Sequence, residues 1–288
     1  MNAPPFPPFP TNPVVGQTWQ NWTWDGCTWT PNTGGNAIRV LRQVFAQTGP
    51  YMPSAGLVSC DVECIGAGGG GGGVANPQGV LTYVLCGGGG GSGGYSRKML
   101  QSSQVLGGVV VTIGQGGGSG PNGNGSFGGT TSFGGLCVAN GGGGGVNCDA
   151  DTGAGIGGPM ATVGVGDVAF RGAVGQSGVF LDLAAGGWYT ASNAAGGQLF
   201  GGNSVLDCPS SAGIPGIPGW PNSGAGGSGA VMNQFATGSF SGGIGASGLC
   251  IVTEYCWGAA SEGDCCPPGG ARVAIGSFGP GGMRGFDD

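Results

Sequence analysis

Leu57-Val58-Ser59-Cys60-Asp61-Val62-Glu63-Cys64-Ile65 runs straight into Gly66-Ala67-Gly68 and then Gly69 to Gly73. The first nine residues alternate, with Val58, Cys60, Val62 and Cys64 on one face, which is the pattern of a half-buried strand. The glycines that follow carry no side chain to bury and lose the most backbone entropy when ordered. Further glycine runs stand at 87–91 and 141–145. Strands rich in Val, Ile, Thr and aromatic residues are predicted at Val80 to Cys86, Tyr95 to Leu100, Val109 to Ile113 and Leu249 to Tyr255. Arg39 to Phe45 fits a strand or a short helix, and the alternation of Arg39, Leu41, Gln43 and Phe45 favours the strand. Helix formers are scarce elsewhere, so the expected class is all-β with long glycine segments.

The composition narrows the function. Of 288 residues, 75 are Gly and 19 Pro, while charged residues are 7% against about 25% in ordinary domains. Gly68 to Gly73 breaks the every-third-residue register of collagen. With no histidine, most imidazole-based catalysis is excluded; no acid pair or nucleophile has an evident partner, and no enzyme activity is expected. Seven basic residues in a chain of net charge −6 leave no footprint for nucleic acid. No 18-residue apolar stretch is free of glycine runs, so membrane insertion is not expected. Met1 to Pro10 lacks the basic and apolar regions of a secretory signal.

Two physical states are open to the glycine runs. They are flexible linkers, or they are polyproline-II-like chains packed side by side. In the second case the missing Cβ atoms let backbones approach closely enough for N–H···O and Cα–H···O bonds between segments. The strands interleaved with the runs favour the packed state. The chain divides into a Pro/Phe arm at 1–13, a Trp-rich module at 14–33, the glycine-rich body at 34–256 and a Cys/Pro/Gly-rich tail at 257–288. Within the Trp-rich module, Asn21 to Trp29 reads as a hairpin turning at Asp25-Gly26. A hairpin of that size is not stable alone, so Trp19, Trp22, Trp24 and Trp29, with Phe6 and Phe9 of the arm, are the anchoring candidates.

Gly66-Ala67-Gly68-Gly69-Gly70-Gly71 satisfies the dinucleotide fingerprint only trivially, without the helix and the acid about 20 residues on. No cofactor is expected. Asn147, Asp149 and Asp151 open like a calcium loop, but Thr152 replaces the required glycine and no Glu closes it. The 11 cysteines contain no Cys-x-x-Cys pair, so no metal is expected. Cysteine usage of this kind suits an oxidising setting, virion and cell surfaces included. Cys60 and Cys64 stand about 13 Å apart at strand rise, too far to bridge one another. They are disulfide candidates with Cys86, Cys250 or Cys256, and Cys265-Cys266 is the candidate interchain link. The alternative is that these are small buried residues. Trp188, Tyr189 and Trp220 lie in Gly/Pro-rich loops and are the candidate receptor contacts, or else plugs of the body's own core.

Several motifs resemble one family. Thr48-Gly49-Pro50-Tyr51-Met52-Pro53-Ser54-Ala55-Gly56 is followed by Asp61 to Gly66 and the first glycine run. Then come Gly93-Gly94-Tyr95-Ser96-Arg97-Lys98, Val110 to Gly117, Gly128-Gly129-Thr130-Thr131-Ser132-Phe133-Gly134 and Gly248 to Tyr255. In this order over about 45–256 they resemble the glycine-rich domain of bacteriophage tail fibres and related virion appendages. The resemblance implies a virion component, commonly tied to host recognition at a fibre tip, with packed polyglycine helices. The expected protein is a short tail-fibre or appendage component, and its expected partners are itself as a homotrimer, other virion proteins of tail, baseplate, neck or capsid, and a host-surface glycan or protein. It would assemble in the host cytoplasm and be exposed on the released particle. A head, neck or collar decoration and an extracellular polysaccharide-binding lectin-like module are the alternatives.

Overall fold

The computed structural model describes residues 18–19, 22–24, 29–31, 38–76, 85–148, 154–181, 189–192, 206–207, 213–232, 236–257 and 271–274. Its strands in chain order begin with β1 (Thr18–Trp19), β2 (Trp22–Trp24) and β3 (Trp29–Pro31). The body follows with β4 (Ile38–Phe45), β5 (Gly49–Tyr51), β6 (Leu57–Ile65), β7 (Val74–Asn76), β8 (Leu85–Cys86), β9 (Tyr95–Gln101) and β10 (Val109–Thr112). Next are β11 (Thr131–Phe133), β12 (Cys137–Ala139), β13 (Val168–Phe170), β14 (Gly178–Leu181), β15 (Tyr189–Ser192) and β16 (Leu206–Asp207). The last are β17 (Val231–Met232), β18 (Gly238–Phe240), β19 (Leu249–Trp257) and β20 (Ala271–Ala274). Among the described residues the one helical element is a 3-10 turn, Ser102–Gln104. The all-β class holds, and the Arg39–Phe45 ambiguity resolves to strand. Of the strand predicted at Val80 to Cys86, only Leu85–Cys86 falls within the described residues.

Two sheets enclose the apolar core. The larger has the order β13-β9-β6-β19-β4-β20 and the smaller β12-β11-β10-β5, with every pairing antiparallel. Between them lie Phe45, Tyr51, Cys60, Val62, Cys64, Leu100, Val111, Phe133, Cys250 and Val252, among others. Alternation along β6 and β19 places these side chains, since residues two apart share a face. One expectation needs correction. Tyr255 pairs with Ser59 but Cys256 pairs with Leu57, so the register skips Val58. This β-bulge reverses the alternation locally: Leu57 packs against the core and Val58 does not follow Cys60. The compositional tail at 257–288 also contributes to the body sheet. Trp257 ends β19, and β20 pairs with β4 as an edge strand of the body sheet, because β4 offers a free ladder on that side.

The glycine segments leave this double layer from one end and are bonded to one another through their backbones. Gly66, Gly69 and Gly72 donate to Gly94, Gly91 and Gly88. Ala67, Gly70 and Gly73 donate to Gly129, Ser126 and Gly123, while Gly68 and Gly71 donate to Ala246 and Gly243. Donors three residues apart therefore address the same neighbour. Segment 66–73 also accepts from three others, through Gly117, through Gly142 and Gly145, and through Gly227 and Ala230. The approach is so close that a Cβ on Gly69 would meet the Gly143 carbonyl oxygen at 2.0 Å. Only a residue without Cβ fits there. Short strands finish the far end, where β7 pairs with β18 and β8 with β17 around Val74, Leu85, Cys148, Ala230 and Met232.

Candidate functional site

Three regions carry side chains or positions that bear on function. The first is the face of the six-stranded sheet turned away from the core. Arg97 donates from Nε to Asp61 Oδ1 at 3.0 Å and from Nη2 to Oδ2 at 2.5 Å. Tyr95 Oη donates to Glu63 Oε1 at 2.6 Å, and Arg42 Nη2 lies 3.9 Å from Glu63 Oε2. Asp61 holds the Arg97 guanidinium proton more firmly than usual, through the hydrogen bond first and its charge second. Partial burial, and then the Glu63 hydrogen bond, push the Tyr95 phenol above its ordinary range. The Tyr95 and Phe170 rings stack at 6.3 Å. This network neutralises the charges at the centre of the face and leaves apolar ground around it, with Ile38, Met99, Val168, Phe170 and Trp257 all exposed.

The second is a buried carboxylate, Glu254, which has no exposed surface. Tyr51 Oη donates to its Oε1 at 2.7 Å, the Ser54 backbone N–H to Oε1 at 3.0 Å and Ser54 Oγ to Oε2 at 2.7 Å. A buried carboxylate costs several kcal/mol unless such donors meet it. Burial first, and the Glu254 charge second, push the Tyr51 phenol far above its ordinary range. Burial likewise raises the neighbouring Cys60 thiol to about 11. The arrangement joins β19 of one sheet to β5 and the 52–54 segment beside the other. It is a structural clamp with no opening to a substrate. Sequence reading passed over Glu254, although period two puts it on the face of Cys250 and Val252.

The third is made of the aromatic candidates. Trp220 is exposed, at 68%, in a turn whose Gly224 abuts Gly66, at the sheet end of the glycine segments. Tyr189 opens β15, paired with Leu181 of β14, and β14 starts at Gly178 beside Cys86 at the far end. The two candidates thus stand at opposite ends of the glycine segments and form no shared platform. Trp188 lies outside the described residues, as do Phe6 and Phe9. The tryptophan hairpin is present, with Trp24 opposite Trp29 and Trp22 opposite Pro31. Its connection spans 25–28, longer than a two-residue turn at Asp25-Gly26, and β1 adds a third strand with Trp19 opposite Trp22. Since directly paired residues share a face, this register places all four tryptophan positions on one side of the small sheet.

The disulfides expected of Cys60, Cys64 and Cys250 are not formed: these three, like Cys137, are buried free thiols. Cys64 lies directly opposite Cys250 across the β6–β19 ladder, with sulfurs 3.8 Å apart, in contact but unbonded. Hydrogen bonding with Cys64 and then burial push the Cys137 thiol far up. Cys86, Cys148 and Cys256 are buried as well, while Cys265 and Cys266 lie outside the described residues. These seven cysteines serve the core as small apolar residues. Among the described residues no group of three His, Cys, Asp or Glu could hold a metal. No helix there is long and apolar enough to cross a membrane. No protein-family model matches the chain, and no curated protein does.

Proposed function

We propose that this chain is a structural component of a bacteriophage particle: a short fibre or appendage, trimeric, non-enzymatic, anchored through its N-terminal module and recognising the host with the opposite end. The observation that carries this reading is polarity. Ile38, which opens the first body strand β4, pairs with Trp257, at the end of the six-stranded sheet farthest from Gly248 and the glycine segments. Strands β14 and β15 pack on β8 and β17 at the other end of those segments. A chain whose N-terminal module joins the body at one pole, and whose β14 and β15 lie at the other, suits a spacer between two surfaces.

The three-residue repeat of hydrogen bonding supports polyproline-II geometry for the glycine segments, which is the geometry that the resemblance implies. Eight residues from Gly66 to Gly73 would then span about 22 Å at ~3.1 Å per residue. A bundle bonded through its backbones is stiff without needing bulky residues, which suits a spacer. The one-sided tryptophan positions on β1 to β3 suit docking onto another virion protein, since aromatic rings dominate interface energetics.

The test is performed on particles. Trp188→Ala with Tyr189→Ala should lower host adsorption at least tenfold, and Trp220→Ala should leave it unchanged. Normal adsorption of particles carrying the double variant would remove the recognition role. Labelled antibody against the body should mark the tail end; labelling at the capsid or neck would favour the decoration reading instead.

A further inference from the structure

We propose that an apolar groove on the outer face of the six-stranded sheet is the docking site of the chain's own Pro/Phe arm, residues 4–10. The inference rests on the groove and the arm alone and does not depend on the virion reading.

The groove has a volume of about 290 Å³ and is lined by Ile38, Val58, Ser59, Met99, Tyr255 and Trp257. The β-bulge makes it. By skipping Val58, the register turns that side chain to the outer face, where it lines the groove with Tyr255 and Met99. Ile38, Met99 and Trp257 keep 55%, 47% and 46% of their surface exposed, a large amount for three neighbouring apolar side chains on one face. Aromatic-lined grooves of this kind take proline-rich segments, whose preformed extended helix loses little entropy on binding.

The arm reads Pro4-Pro5-Phe6-Pro7-Pro8-Phe9-Pro10, a Pro-Pro-Phe repeat. Polyproline II turns once every three residues, so this repeat sets Phe6 and Phe9 on one edge, about 9.3 Å apart at ~3.1 Å per residue. The groove crosses the strands, from Ile38 and Trp257 on β4 and β19 to Ser59 and Met99 on β6 and β9. Its two halves are therefore two strand spacings apart, about 9.6 Å at ~4.8 Å per strand. One phenylalanine fits each half, and the prolines lie along Trp257 and Tyr255.

The tether selects the chain's own arm over that of a second copy. Ile38 is itself a wall of the groove, and residues 11–17 and 32–37, which flank the β1–β3 sheet, reach about 44 Å at ~3.4 Å per extended residue, enough to return Pro10 to it. Being on the same chain makes docking of the arm intramolecular, which favours it over the arm of a second copy at low micromolar concentration. An arm held in this way is withheld from any other partner until that partner displaces it.

The test uses the full chain with photo-crosslinking benzoylphenylalanine in place of Met99, at low micromolar concentration. After irradiation and digestion, mass spectrometry should place the crosslink within residues 4–10, in material of single-chain mass. The pair Phe6→Ala and Phe9→Ala should cut the yield at least fivefold. Crosslinks to residues 258–288, crosslinks in material of two-chain mass, an absent crosslink, or a yield unaffected by the pair would each overturn the proposal. Amide exchange gives a second readout that leaves the groove intact: Phe6→Ala with Phe9→Ala should speed exchange at residues 255–257, and unchanged rates there count against docking.

Discussion

Replacing Gly69 by alanine tests whether the body is held together by backbone contact. The new Cβ would lie 2.0 Å from the Gly143 oxygen, 2.4 Å from the Gly143 carbon and 2.9 Å from the Gly144 nitrogen. All three are backbone atoms, so no side chain can swing aside and the 141–145 segment must move. Overpacking of this kind costs about 1–3 kcal/mol. The displaced segment also holds the bonds from Gly142 to Ala67 and from Gly145 to Gly70, both 2.9 Å, each worth about 0.5–1.5 kcal/mol. The expected loss is about 2–6 kcal/mol, a large share of the ~5–15 kcal/mol that stabilises a typical domain. At about 2–4 °C per kcal/mol for a chain of this size, the melting midpoint should fall by at least ~4 °C. Gly135→Ala is the control, since a Cβ there meets nothing within 4 Å. It should shift stability by less than about 1 kcal/mol. Thermal and urea unfolding of both variants, followed by circular dichroism, make the comparison. If Gly69→Ala unfolds within 1 kcal/mol of Gly135→Ala, the segments do not touch and the packed-backbone reasoning is wrong.

Tyr51→Phe removes one of the donors to Glu254 and should cost about 1.5–3 kcal/mol, the range for a hydrogen bond to a charged group; urea midpoints that match the parent protein would show that the clamp contributes nothing. The Cys60 thiol ionises near 9.0 in an unfolded chain but holds its proton to about 11 when folded. Its contribution is therefore complete below pH 9 and is lost as pH rises towards 11, because the unfolded state sheds the proton first. Stability measured across that window should fall less steeply in Cys60→Ala than in the parent protein. Iodoacetamide should spare Cys60, Cys64, Cys137 and Cys250 in the folded protein and label all four in denaturant without reductant, whereas failure to label them after denaturation would show that they are oxidised.

Much of the fold was legible in the residues. Period-two alternation marked β6 and β4, and the β-branched and aromatic content marked β10 and β19. The Asp25-Gly26 signal located a hairpin, but it did not set the length of its connection. The backbone register pairs residue 24 with residue 29. The cysteine count suggested cross-links because spacing alone does not distinguish a bridge from a core filler. Burial on the inner face assigned Cys60, Cys64 and Cys250 to the core. The aromatic candidates were read as one group, since a sequence carries no information on which end of a bundle a loop occupies.

By itself, the sequence determined the strand class, the polarity of each strand's two faces and the places where side chains are missing. These follow from local chemistry: alternation, β-branching and the absence of Cβ. The tertiary structure alone decided which glycine segment lies beside which, that a one-residue bulge turns Val58 outward, and that Glu254 meets its donors from a distant turn. The physical reason lies in glycine. A contact between two bare backbones leaves no mark on the identity of either partner, so any glycine run could face any other. The choice is made by the sheets at the two ends, which set where each segment starts and how far it must run.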